Sequence, residues 1–109
     1  MNVRLYVWQR LTAAIMAPLV LVHLAVIFYA MRKGFSAADI LTRTRGSVAW
    51  ASFYGLFVVA VAIHAPIGLR TILIEWTSLR TRACDLAAIA IGFLLLALGL
   101  WAVAAVVLP

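Results

Sequence analysis

The sequence predicts an all-α membrane protein with three transmembrane helices. Two observations predict it first. Hydrophobic residues make up 68% of the chain and charged residues 11%, with a mean hydropathy of +1.17. Soluble domains average about 45–50% apolar and about 25% charged. That composition excludes an ordinary soluble fold, a disordered tail and a disulfide scaffold. The second observation is where the few charges fall: they divide the chain into three apolar stretches. Residues 11–31 form 21 positions without a charge, residues 46–69 form 24, and residues 86–109 form 24. A bilayer core of about 30 Å needs about 20 helical residues, so each stretch is long enough to span. A chain of 109 residues carries a prior of one domain. The expectation is a single three-helix transmembrane domain over residues 1–109, with helices at roughly 8–32, 46–76 and 84–108.

The elements follow in order. The first stretch is too long for a signal-peptide core, and no small-residue cleavage site closes it, so a retained helix is expected. Between the first two stretches, residues 36–42 read as a short amphipathic piece with Ser36 as its N-cap. Residues 77–85 read as a tight polar turn carrying Arg80 and Arg82. Cys84 is a single cysteine and forms no internal bridge. The net charge of +6 does not point to nucleic acid, because the basic residues sit in short clusters between apolar stretches, as at a membrane surface. With the N-terminus on side A, that side holds Arg4, Arg10, Arg70, Arg80 and Arg82. Side B holds Arg32, Lys33, Arg43 and Arg45. The small excess on side A predicts a cytoplasmic N-terminus. Tyr6, Trp8, Tyr29 and Trp76 lie near helix ends, as an aromatic belt would.

Two histidines interrupt the apolar stretches, His23 in the first and His64 in the second. Ionisable groups inside a membrane are costly and mark functional candidates. Imidazole ligates metals, and paired axial histidines hold haem iron in electron-transfer proteins. It also hydrogen-bonds neighbouring helices, and spacing alone does not choose between the two. Depth separates them. His64 lies about 9 Å from side A and His23 about 20 Å, from the helical rise. The axial ligands of one haem standing upright in a bilayer lie at similar depth. Two imidazoles roughly 10 Å apart in depth are therefore poorly placed to clamp one iron. A haem on His64 then takes its second ligand from another chain.

His64, Gly68 and Ile72 share one helix face. Gly68 leaves room where a flat ring would lie, or where another helix packs closely. Pro66 and Pro18 each remove a helix-ladder donor and predict kinks. Near side A, Arg10 and Thr12 open the first helix while Arg70, Glu75 and Trp76 close the second. Arg10 is a fixed cation that grips a carboxylate or anchors the helix end. Glu75 is expected to pair with Arg70, Arg80 or Arg82. Trp76 offers an indole N–H or a belt ring. Small residues recur along the helices: Ala13, Ala14, Ala17, Ala49, Ala51, Gly55, Gly92 and Gly99. They suit packing against further helices, so an obligate complex is expected.

Two stretches resemble a known family. Arg10-Leu11-Thr12-Ala13 resembles the arginine-x-threonine/serine-alanine/glycine opening of the membrane anchor subunits of succinate dehydrogenase and fumarate reductase, the succinate:quinone oxidoreductases. The stretch from His64 to Trp76 resembles their second-helix pattern of histidine, three residues, glycine, then an acidic-aromatic pair. The size and helix spacing match over the whole chain. The resemblance implies a non-catalytic subunit of an oxidoreductase, bundled with a second membrane anchor chain beneath a flavoprotein and an iron–sulfur subunit in a bacterial inner membrane. Electrons would pass from succinate to quinone at the interface. It implies that His64 is an axial ligand of haem b, with Gly68 giving the ring clearance and Arg10 near haem propionates or quinone. His23 would ligate a second haem where two are present. Trp76, beside Glu75, stands where some of these anchors place a quinone-binding tyrosine. It lacks the phenol hydroxyl, so only its N–H could donate. The competing class is a non-haem accessory or assembly subunit of another respiratory complex. A pore is disfavoured, since residues 86–109 carry no charge or histidine.

Overall fold

Helix boundaries follow from local capping. The computed structural model describes residues 2–109 and contains α1 (Val3–Lys33), α2 (Ala37–Thr44), α3 (Val48–Trp76) and α4 (Thr81–Val107). The first helix begins five residues before the expected start at residue 8, because Asn2 caps it: the Asn2 side chain accepts from the Arg4 N–H at 2.7 Å. Ser36 caps α2 as the sequence predicts, accepting from Asp39 N at 3.1 Å. Ser47 caps α3 through the Trp50 N–H. The fourth helix starts at Thr81, which shortens the polar turn to residues 77–80.

The 31, 29 and 27 residues of α1, α3 and α4 give lengths of about 40–46 Å. That exceeds the ~30 Å hydrocarbon core, so both ends of each helix reach the interfaces. The molecule measures 48 × 22 × 22 Å, and three helices are long and apolar enough to cross a membrane.

The helices form an open row. Both α1 and α4 pack on α3, and α2 packs on α4, while α1 and α4 share no substantial contact. Residues 61–70 of α3 are all half-buried, as expected of a helix contacted on two sides. The α3–α4 seam is set by glycine. At Gly99 an added Cβ would lie 2.5 Å from Val58 Cγ1, and at Gly92 it would lie 3.1 Å from Pro66 Cγ. Both glycines are consumed inside the chain rather than kept for further helices, a correction to the sequence expectation. Gly55 meets nothing within 4 Å, and Ala13, Ala14, Ala17 and Ala49 are exposed. Those residues remain available to a neighbour.

The connection before α3 closes the far end of α4. The Thr44 hydroxyl donates to Val106 O at 2.6 Å, and Gly46 N–H donates to Val107 O at 2.7 Å. Two carbonyls that a helix end would leave unpaired are thereby satisfied. Gly46 reaches that position at φ +73, a conformation open to glycine at little cost.

Candidate functional site

His64 faces α1. Its Nδ1 lies 3.2 Å from Thr12 Oγ1 and 3.2 Å from the Gln9 carbonyl oxygen. Thr12 is 3% exposed, and its hydroxyl lies 2.7 Å from Trp8 O and 3.1 Å from Gln9 O. The proton inventory assigns the roles. A carbonyl only accepts, so Gln9 O requires a proton on Nδ1. The Thr12 proton goes to the nearer carbonyl, Trp8 O, which leaves a Thr12 lone pair facing Nδ1. Neutral His64 is therefore the Nδ1–H tautomer, and the Nε2 lone pair is free. That is the state in which imidazole ligates a metal, with its other ring nitrogen held by an outer acceptor.

Gly68 sits one turn further along the same face. A Cβ there would meet the Gln9 side-chain nitrogen at 3.2 Å. The room left by Gly68 thus holds the end of a flexible amide, which can swing aside. Sequence reasoning passed over Gln9. Its signal was available, since Gln9 and Thr12 are polar, three apart and so on one face of α1.

His23 has the opposite surroundings. It is half-buried on α1, edge-on to Tyr54 and Phe57 of α3 at 5.9 and 5.5 Å between ring centroids. Its Nδ1 is buried with no hydrogen-bond partner. The ring lines an apolar cavity of about 600 Å³ together with Tyr54, Val58, Leu98, Gly99 and Val106. Phe57 and Tyr54 precede His64 on α3 by seven and ten residues. The two imidazoles therefore lie about 10–15 Å apart along that helix.

At side A, Arg10, Glu75 and Trp76 are exposed, and no hydrogen bond or ion pair joins them among the described residues. Arg10 lies over the Tyr6 ring at 5.8 Å, and Trp76 is 82% exposed. Glu75 takes none of the arginines expected for it. Arg70 pairs instead with Asp85, Nε to Oδ1 at 2.5 Å. The reason is geometric: Asp85 is in the second turn of α4, across the α3–α4 seam from Arg70, whereas Glu75 is exposed in the last turn of α3. The Arg70–Asp85 pair borders a second cavity of about 620 Å³ lined by Pro66, Gly92 and Phe93.

Among the described residues, no three His, Cys, Asp or Glu side chains gather to hold a metal ion. A macrocycle brings its own equatorial donors and asks only for axial imidazole; His64 has Nδ1 held by α1, with no hydrogen bond to Nε2 among the described residues.

The family model for the succinate dehydrogenase/fumarate reductase transmembrane subunit matches residues 1–101. No curated protein matches the chain, and no solved structure does. The matched stretch spans the first three helices and most of the fourth, so the chain belongs to that family, and with three membrane-length helices it is a multi-pass membrane subunit.

Proposed function

We propose that this member of the succinate dehydrogenase/fumarate reductase transmembrane subunit family is a haem b-binding anchor. It tethers a flavoprotein and an iron–sulfur subunit and forms part of a quinone site. The observation that carries the haem reading is the His64 geometry, with Nδ1 tied to Gln9 O and Thr12 and Nε2 left free. When bound, haem b supplies a one-electron store between the electron donor and quinone. The chain's own residues have distinct tasks. His64 would hold the iron through Nε2, α1 fixes the imidazole, and Gly68 would give clearance once the Gln9 amide swung aside. The open row of helices supports the need for a second anchor chain, which supplies the other axial ligand.

The reading takes one haem. A second on His23 rests on the neighbouring cavity alone, because the His23 Nδ1 lacks the outer acceptor that ligating histidines use.

Quinone has an apolar body and two carbonyls, so it needs donors at headgroup depth above hydrocarbon. Arg10 and Trp76 offer such donors at side A. Their exposure leaves them free to meet a partner subunit and its share of the pocket. In this reading the soluble subunits dock on side A and the N-terminus faces the cytoplasm of a bacterium, a topology that the small positive-inside excess on side A supports.

The test is a reduced-minus-oxidised spectrum of the detergent-purified complex. A low-spin b-type signal in the wild type and its loss in His64→Leu are expected. An unchanged spectrum and midpoint potential in that variant would remove the claim, and a wild-type complex without haem would favour an accessory subunit.

A further inference from the structure

We infer that Thr12 is a positioning residue for His64, fixing its tautomer and ring orientation through the Nδ1–H contact; this rests on the haem reading above. The sequence treats Thr12 only as part of a helix opening. In the structure it is 3% exposed and sits where α1 meets α3.

Three features single it out. Its hydroxyl is held at two points of its own helix, 2.7 Å from Trp8 O and 3.1 Å from Gln9 O, so it is not a free rotor. Its remaining lone pair faces His64 Nδ1 at 3.2 Å, across 52 residues of sequence. The second acceptor, Gln9 O, lies at the same 3.2 Å. Nδ1–H is thus shared between two oxygens whose positions are set by one turn of α1. A carbonyl alone would let the imidazole tilt about a single contact; the pair of oxygens defines the direction of the N–H. Because the imidazole ring is rigid, the same pair sets the direction of the Nε2 lone pair.

The electronic consequence has a definite sign. An Nδ1–H that donates strongly leaves more electron density on Nε2 and favours the oxidised, more positive iron. Losing the Thr12 acceptor weakens that donation and should raise the midpoint potential. Outer partners of metal-bound histidine typically change metal affinity by roughly 10–100-fold. A tenfold shift in a one-electron equilibrium corresponds to about 59 mV.

The experiment compares Thr12→Val and Thr12→Ser in the assembled complex, with His64→Leu as reference. Potentiometric titration and low-temperature electron paramagnetic resonance of the low-spin ferric signal are the readouts. In Thr12→Val we expect a roughly tenfold shift of the redox equilibrium toward the reduced form, with altered g-values. Thr12→Ser should restore both. If Thr12→Val fails to accumulate, Thr12→Ala serves in its place, because it is smaller than threonine and cannot clash. Loss of haem in His64→Leu with wild-type potential and g-values in Thr12→Val or Thr12→Ala overturns the Thr12 inference alone. Retention of the haem signal in His64→Leu overturns the reading beneath it. A shift that Thr12→Ser fails to reverse shows that packing, not the hydroxyl, was responsible, and also overturns the inference.

Discussion

His64 on α3 gives its Nδ1–H to two oxygens of α1, whereas His23 on α1 rests against α3 and finds no partner for its Nδ1. Both are single imidazoles in apolar helices that pack on each other. The difference lies in what opposes them. Across from His64, α1 presents a backbone carbonyl and a buried hydroxyl. Across from His23, α3 presents the rings of Tyr54 and Phe57. Intramembrane cost alone therefore does not identify a ligand. What distinguishes the two is whether the rest of the fold satisfies one ring nitrogen and leaves the other open, the arrangement that ligating histidines use.

The strongest way to break this comparison is to remove each imidazole in turn and measure haem per flavin in the purified complex. His64→Leu should lose all haem that depends on this chain. His23→Leu should keep the full amount. A fall in haem content in His23→Leu would reinstate a second haem and show that the unpartnered nitrogen acquires an acceptor from a partner chain.

The next largest effect contrasts the exposed side A residues with the buried site. Arg10→Leu should lower quinone reduction severely while leaving electron transfer from succinate to a soluble artificial acceptor intact. Loss of both would indicate failed assembly. Retention of both would move the quinone elsewhere, either to the cavity beside His23 or to the cleft under the Arg70–Asp85 pair.

A smaller effect tests the seam that holds α4 on α3. Gly99→Ala sets a methyl 2.5 Å from Val58, whose β-branched side chain has little freedom to retreat. Overpacking of this kind costs about 1–3 kcal/mol. Gly55→Ala, with nothing within 4 Å, should be neutral unless a partner helix lies there. Thermal unfolding of the complex would read both. The same measurement on Thr44→Val should show a smaller loss than Gly99→Ala, about 0.5–1.5 kcal/mol for one hydrogen bond to a helix end, with no effect on haem content.

Of the candidate site, His64 and Gly68 were legible because both lie on one helix, where a spacing of four places them on one face. Thr12 was noted without its partner, and Gln9 was missed, because their contact with His64 joins residues more than 50 positions apart. No periodicity within one helix encodes which face of its neighbour it meets. Asp85 was likewise read only as the end of the polar turn before the last apolar stretch, while Glu75 was offered the arginine that Asp85 takes. Sequence proximity favoured Glu75; the seam between α3 and α4 favoured Asp85.

The sequence by itself determined that this is a membrane protein with three spanning helices and a short capped helix between the first two. Apolar length against bilayer thickness and side-chain capping are local properties, and they act through neighbouring residues. The difference in depth between the histidines was also readable, because helical rise is fixed. Only the tertiary structure decided that α3 lies between α1 and α4, that Gly92 and Gly99 are spent on that seam, and that one histidine is satisfied while the other is not. Those outcomes depend on the rotation of each helix about its own axis. Nearly uniform apolar surfaces leave that rotation unspecified until small residues and a few buried polar groups lock one arrangement in place.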